Sequence, residues 1–154
     1  MRELARTEKD TEGFGARLAR VRPADDALAV LFLTGELGAG KTTLVRGFVA
    51  ALGVAAPVRS PTYTLVELYA AGALTVVHAD LYRLRDPSEL EPLGLRDLAA
   101  PGFLWLIEWP ERGAGHLPPA DLTLSFSVLE QAHAIDVTVH SALGERWIGA
   151  LQRS

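Results

Sequence analysis

The sequence predicts an α/β domain built on a mixed, mainly parallel central sheet, and three observations lead to that class. A continuous apolar run over residues 27–34, typical of a strand buried on both faces, precedes a glycine-rich loop and a helical pattern over residues 42–52. Further strand and helix patterns follow along the chain. Two of the strands flank Ala71 and Gly72 as a predicted antiparallel hairpin, which makes the sheet mixed. We expect residues 1–154 to form a single domain.

The other elements are predicted from local spacing and from residues that end helices. A first amphipathic helix is expected from Thr11 to about Val21, because Phe14 and Leu18 continue its apolar face and Pro23 follows it. The remaining predicted elements are hairpin strands at 62–70 and 74–79, a short broken helical stretch at 88–99, strands at 103–107, 122–129 and 134–140, and a helix at 141–151.

The loop between the first strand and its helix fits the phosphate-binding pattern, with two glycines five residues apart followed by Lys41 and Thr42. Glycines at 35, 38 and 40 leave room for phosphate oxygens to reach inward-pointing backbone N–H groups. The helix start offers further N–H groups, Lys41 is placed to reach the β- and γ-phosphates, and the Thr42 hydroxyl can ligate Mg²⁺. The sequence therefore predicts a three-layer P-loop NTPase fold that binds a nucleoside triphosphate.

Two predicted strands lead directly to a carboxylate, one to Asp80 and the other to Glu108. Ligands of open α/β sheets bind beyond the carboxyl ends of the strands, so we expect both acids near the phosphate loop. One would coordinate Mg²⁺, and the other would position the attacking water or order the second shell of the metal. For each acid the alternative is a solvated side chain that ends a strand. His78 is expected to be structural, because no second histidine stands at metal-ligand spacing.

The segment before the hairpin contains Ser60, Thr62 and Thr64, in a position where P-loop proteins often carry a segment that responds to the γ-phosphate. A Ser-Pro turn that enters a strand explains the same residues equally well. Trp109, next to Glu108, either shields the site, anchors an interface or packs beside a core strand.

Composition narrows the classes of function. The formal net charge of −4 argues against broad electrostatic binding of nucleic acid, so any RNA involved would be bound by a partner protein. Asparagine is absent, which excludes the Asn-Lys-x-Asp element that reads guanine and favours adenine as the base. With no cysteine, no secretory signal and no apolar run long enough to span a membrane, we expect a soluble, cytoplasmic protein.

Four linked motifs resemble the TsaE (YjeE) family of bacterial ATPases, which serves the biosynthesis of threonylcarbamoyladenosine in tRNA. They are Glu-Leu-Gly-Ala-Gly-Lys-Thr-Thr at 36–43, Ser-Pro-Thr-Tyr-Thr-Leu at 60–65, Asp-Leu-Tyr-Arg-Leu at 80–84 and Glu-Trp-Pro at 108–110. The resemblance implies ATP or ADP and Mg²⁺ as ligands, and TsaD and TsaB as partners that modify adenosine 37 of tRNA. It implies an ATPase that supports these partners, meets tRNA only through them and does not itself transfer the group. We assume a monomer when it is alone.

The resemblance also assigns roles to individual residues. It implies that Glu108 is the magnesium-linked acid and Asp80 the other active-site acid, which with Lys41 makes three predicted catalytic residues. Thr42 would be the metal ligand, residues 60–64 the switch-like segment, and Trp109 the tryptophan beside the site. Glu36 is a departure, since aspartate is common there. The predicted nucleotide-binding residues besides these two acids are Leu37, Gly38, Ala39, Gly40, Lys41, Thr42 and Thr43, with Thr11 and Ala132 close to the adenosine.

Two other classes of function share these motifs. A small-molecule kinase has the same loop but needs an acceptor pocket and usually a lid that carries arginine, and no glycine-hinged basic insertion is apparent. A nucleotide-sensing adaptor without enzymatic activity is hard to separate by sequence from an ATPase that is slow until a partner completes its site.

Overall fold

The computed structural model describes residues 1–25, 27–55, 57–61 and 63–154. The strands are β1 (Arg2–Ala5), β2 (Ala29–Thr34), β3 (Val66–Ala71), β4 (Leu74–Asp80), β5 (Phe103–Glu108), β6 (Leu122–Val128) and β7 (His133–Val139). The α-helices are α1 (Glu8–Arg20), α2 (Lys41–Ala51) and α3 (Ala142–Arg153). Short 3₁₀ helices occupy Pro87–Leu93, Leu95–Leu98 and Pro110–Gly113.

A seven-stranded sheet with the order β1-β7-β6-β2-β5-β4-β3 forms the centre of the fold. The pairs β2–β5, β2–β6 and β4–β5 are parallel. The pairs β1–β7, β3–β4 and β6–β7 are antiparallel. Strands β3 and β7 therefore oppose the other five, which confirms the predicted mixed, mainly parallel sheet. The carboxyl ends of β2, β4 and β5 meet at one edge of the sheet.

The two faces of the sheet are covered differently. One face packs against the three α-helices in a core that includes Phe14, Phe48 and Trp147. The other face packs against the two 3₁₀ helices of residues 87–98, through Leu90 and Leu95. The predicted helical stretch is indeed broken, because Pro92 lies inside it and Gly94 adopts a left-handed φ of 67°. The second covering layer therefore consists of 3₁₀ rather than α-helix. Within the described part of the chain, no helix has the length and apolar character needed to cross a membrane.

The amino-terminal region differs most from the expectation. The predicted start of the first helix near Thr11 is wrong, since Thr7 caps α1 and the helix begins at Glu8. The Thr7 hydroxyl accepts from the Asp10 N–H at 3.1 Å, and the Asp10 carboxylate accepts from the Thr7 N–H at 3.1 Å. This reciprocal capping box satisfies two N–H groups at the helix start. Strand β1, which was not predicted, pairs with β7 and joins the sheet there.

Strand β3 begins at Val66, four residues later than predicted. The preceding residue, Leu65, has a φ of 67°, which is incompatible with extended strand backbone. Thr62, which belongs to the predicted switch-like segment, lies outside the described residues.

Helices α1 and α2 touch at two glycines. A Cβ atom added to Gly15 would lie 2.2 Å from the Leu44 carbonyl oxygen, and one added to Gly47 would lie 2.0 Å from the Glu12 carbonyl oxygen. These distances are far below van der Waals contact, so the two backbones approach each other only because both positions lack a side chain. This crossing sets the position of α2, and with it the loop that precedes α2, relative to α1.

We expect Gly47→Ala to destabilise the protein by about 1–3 kcal/mol, because the methyl group must push two backbones apart. Gly13→Ala is the matched control, since Gly13 is an exposed residue of α1 whose added Cβ would meet no described atom within 4 Å. That change should stabilise the helix by about 0.5–1 kcal/mol. Thermal and urea unfolding of both variants measures the difference. Equal free energies of unfolding for the two variants would show that the two helices can move apart at this crossing without loss of stability.

Candidate functional site

The loop between β2 and α2 has the backbone shape of an anion cradle. Gly35, Gly38 and Gly40 have φ angles of 134°, 78° and 107°, a region that favours glycine. A Cβ atom on Gly35 would lie 2.4 Å from the Phe126 carbonyl oxygen, whereas one on Gly38 would meet no described atom within 4 Å. Gly40 is the N-cap of α2 and brings no side chain to its first N–H groups. The start of α2 can therefore offer these groups to a phosphate.

Lys41 is only 4% exposed and its ammonium group lies within the loop. Its Nζ donates hydrogen bonds to the carbonyl oxygens of Gly35 and, at 2.8 Å, of Glu36. Burial lowers the pKa of Lys41, and the negative charges of Glu108, Asp80 and Glu111 oppose that shift. The loop thus holds a cation beside the space where phosphate oxygens would enter.

Glu108 lies directly beside the phosphate loop. The Thr42 hydroxyl donates to this carboxylate, with Oγ1 at 3.0 Å from each of its oxygens. The residue is 3% exposed and ends β5, in parallel register with Asp80 at the end of β4. The two acids therefore emerge side by side, and Glu108 accepts the hydrogen bond from Thr42.

His78 is a third member of this group, and the sequence did not identify it. Its Nε2 lies 2.6 Å from Oε2 of Glu108, and its side chain is fully buried. Strand alternation puts residues 78 and 80 on the same face, and the register pairs His78 with Leu106 and Asp80 with Glu108. Because the contact depends on the register of two strands, spacing along the chain carries little signal for it.

Asp80 connects the end of β4 to the segment before β3. Its carboxylate accepts from the Ser60 hydroxyl at 3.1 Å and from the Tyr82 N–H at 3.0 Å. Its backbone N–H donates to the Leu65 carbonyl oxygen at 2.9 Å. Thr64 is exposed and its hydroxyl donates to Glu67 at 3.1 Å. Of the predicted switch-like residues, Ser60 therefore bonds Asp80, one of the two predicted acids, and Thr64 makes a local contact on the surface.

Trp109 forms a wall beside the loop. Its ring centre lies 4.6 Å from the Nζ of Lys41 and 5.0 Å from the ring centre of Tyr82. The backbone of Trp109 is in the left-handed region, with a φ of 59°, and its N–H donates to the Leu33 carbonyl oxygen at 3.2 Å. The backbone thus turns sharply after β5 and points the indole across the lysine, which supports the shielding interpretation.

A cavity of about 260 Å³ lies between the loop, the start of α1 and the start of β7. Thr11 and Thr43 line it together with Gly38, Gly40 and His133. Thr11 is in the second turn of α1, a position that follows from the earlier start of that helix. Ala132 is next to His133 in the β6–β7 connection, where its carbonyl oxygen accepts from the Leu129 N–H at 2.8 Å. Of the other predicted loop residues, Leu37 is 62% exposed and Ala39 is buried.

The donor set beside the loop fits a magnesium ion. Within the described residues, no group of three acidic, histidine or cysteine side chains is arranged to hold a metal by itself. Mg²⁺ is commonly bound by one or two protein oxygens together with phosphate oxygens and water, so such a cage is not needed. The Thr42 hydroxyl and the Glu108 carboxylate offer hard oxygen ligands of that kind, 3.0 Å from each other.

Comparisons with known proteins agree in pointing to one family. The family model described as "Threonylcarbamoyl adenosine biosynthesis protein TsaE" matches residues 5–135. The tRNA threonylcarbamoyladenosine biosynthesis protein TsaE of Haemophilus influenzae is 41% identical over 139 residues, which cover 89% of this chain and 88% of that protein. The protein of the same description from Treponema pallidum is 34% identical and covers 90% of this chain and 99% of its own length.

The crystal structure of Bacillus subtilis YdiB matches the fold. The two structures align with a TM-score of 0.80 and 27% sequence identity, over 99% of this chain and 94% of the other. The likeness extends over the whole mixed sheet and its helices and is consistent with the predicted P-loop architecture.

Proposed function

This chain belongs to the TsaE family of threonylcarbamoyl adenosine biosynthesis proteins, and we propose that it serves there as a magnesium-dependent ATPase that supports TsaD and TsaB. The family resemblance expected from four motifs is thereby confirmed, and with it a role in the modification of tRNA. The observation that carries the proposed activity is the contact of Thr42 with Glu108 at 3.0 Å, directly beside a lysine enclosed by a glycine loop.

In the proposed mechanism the loop amides and the start of α2 hold the β- and γ-phosphates. Lys41 exchanges the carbonyl oxygens of Gly35 and Glu36 for phosphate oxygens. Thr42 and Glu108 hold Mg²⁺, which neutralises charge on the phosphates when it is bound. Asp80 orients the attacking water, since its carboxylate accepts a hydrogen bond from Ser60 of the switch-like segment. Catalysis of this kind depends on position and charge more than on covalent steps.

The remaining predicted residues fit around the same nucleotide. We propose that the cavity of Thr11, Thr43 and His133 receives the adenosine, with Ala132 at its margin. Leu37 and Ala39 contribute backbone amides of the loop. Ser60, and with it Thr62 and Thr64, transmits the state of the γ-phosphate to a partner surface, because Ser60 bonds the Asp80 carboxylate and the adjoining Leu65 carbonyl accepts from the Asp80 N–H.

The proposed setting is a cytoplasmic complex in which TsaD and TsaB carry out the transfer to adenosine 37 of tRNA. The net charge of −4 suits a subunit that meets tRNA only through its partners. We propose that the free protein is a monomer that forms a single domain. It hydrolyses ATP slowly until the partners complete the site.

The proposal is tested by calorimetric titration of ATP and ADP with and without Mg²⁺, followed by ATP turnover of the protein alone and with TsaD and TsaB. We expect binding that Mg²⁺ strengthens, and turnover that the partners stimulate. No heat of binding would end the proposal. Binding without turnover in any mixture would favour the nucleotide-sensing adaptor, and transfer of phosphate to a metabolite panel would favour a kinase.

A further inference from the structure

We infer that His78 is a positioning residue that fixes the carboxylate of Glu108 for magnesium binding, an inference that rests on the proposed function. The imidazole Nε2 lies 2.6 Å from Oε2 of Glu108, and both side chains are buried. The Thr42 hydroxyl approaches the same carboxylate from the phosphate loop. Glu108 is thus held between a residue of β4 and a residue of α2.

The direction of the hydrogen bond follows from the chemistry of the pair. An ionised carboxylate only accepts hydrogen bonds, so His78 must donate its Nε2–H to Glu108. Strand β4 is rigidly paired on both sides, to β3 and to β5, and therefore fixes the position of the donor. A carboxylate with one oxygen held in this way keeps its orientation, which directs its other lone pairs toward the oxygen of Thr42 and the space for the metal.

A purely packing role does not explain a histidine at this position. Its Nδ1 is buried without a hydrogen-bond partner among the described residues, which is a cost to folding. An apolar side chain of similar volume would fill the same space between Val76 and Asp80 on the helix-facing side of β4 without that cost. The contact that the imidazole makes through Nε2 is the one with Glu108, and this contact accounts for the polar residue.

Two amide variants separate positioning from packing. The amide nitrogen of glutamine stands the same number of bonds from Cα as Nε2 of histidine, whereas that of asparagine corresponds to Nδ1, which faces no partner. His78→Gln therefore keeps a hydrogen-bond donor for Glu108. His78→Asn removes that donor and leaves a side chain of similar polarity. The readouts are ATP affinity by calorimetry in Mg²⁺ and in EDTA, and kcat and KM in the complex with TsaD and TsaB.

We expect His78→Asn to reduce the gain in ATP affinity caused by Mg²⁺, and to lower kcat, by about 10- to 100-fold, while affinity in EDTA stays within about twofold. His78→Gln should remain within about threefold of the parent in all readouts. In a Glu108→Gln background, His78→Asn should add little, because the group it positions has lost its charge. Equal behaviour of the two His78 variants, or an equal loss of affinity in EDTA, would overturn the inference.

A measurement on the parent protein keeps the inference testable if a variant does not fold. Nitrogen-15 NMR of the imidazole groups in the absence of nucleotide should show the buried His78 with its hydrogen on Nε2 and in slow exchange with water. A hydrogen on Nδ1 alone would overturn the inference without reference to ATP. A parent protein with this tautomer that nevertheless fails to bind Mg·ATP would instead refute the proposed function, and the magnesium role of His78 with it.

Discussion

Lys41→Ala is expected to abolish nucleotide binding, with an affinity for ATP at least about 100-fold below that of the parent, or about 2.7 kcal/mol. The cation of this lysine is enclosed by the loop, where it already donates to the carbonyl oxygens of Gly35 and Glu36. Its burial and the nearby acids place a positive charge where water screens it poorly. Without it, the charges of Asp80 and Glu108 would face the phosphates uncompensated.

The measurement is calorimetric titration of ATP in Mg²⁺, with Lys9→Ala as the matched control. The chain has two lysines, and Lys9 is an exposed residue of α1. The control should bind ATP as the parent does. Thermal unfolding should show that Lys41→Ala keeps its fold, since the change removes a charge that is costly to bury. An affinity within about threefold of the parent would remove the lysine from the binding site.

The parts of the fold that the sequence predicted are those that local patterns specify. A buried strand, a loop with glycines at fixed positions and a helix start leave a signal within about ten residues, and Lys41 and Thr42 lie inside that signal. The placement of Asp80 and Glu108 side by side was predicted because acids that directly follow two apolar strands must share an edge of a parallel sheet. These predictions needed the direction of the strands and no knowledge of distant contacts.

The parts that were missed depend on long-range pairing or on unusual backbone. β1 consists of four residues and exists through its pairing with β7, more than a hundred residues away. The contact of His78 with Glu108 needs the register of β4 against β5. The left-handed backbone of Leu65 and Trp109 is not predictable from residues that ordinarily avoid it, and it sets where the segment before β3 ends and where the indole points.

The roles of the two acids can be separated because they contact different elements. Glu108 touches the residue that follows Lys41, and Asp80 touches Ser60, so the first is expected to act through the metal and the second through the water. Reasoning from the residues left this division open, and the family resemblance assigned Glu108 to magnesium without deciding the role of Asp80. A variant that removes the charge of Glu108 and keeps its shape therefore tests the proposed magnesium-binding part of the site.

Glu108→Gln is expected to retain magnesium-independent binding of ATP and to lose at least as much of the affinity gain caused by Mg²⁺ as His78→Asn does. Hydrolysis should fall by about 100-fold or more, the scale of effect when one group that stabilises transition-state charge is removed. The glycine loop and Lys41 are untouched, so ATP is still held. In EDTA the variant should bind ATP as tightly as the parent or more tightly, because a negative charge beside the phosphates has been removed.

Glu111→Gln is the matched control. Glu111 is exposed, and its charge, like that of Glu108, acts on Lys41, so the control removes a nearby charge without altering the acid in contact with Thr42. If Glu108→Gln hydrolyses ATP as fast as Glu111→Gln does, the charge of Glu108 acts only through its electrostatic effect on Lys41. Thr42 would then have to hold the metal without Glu108.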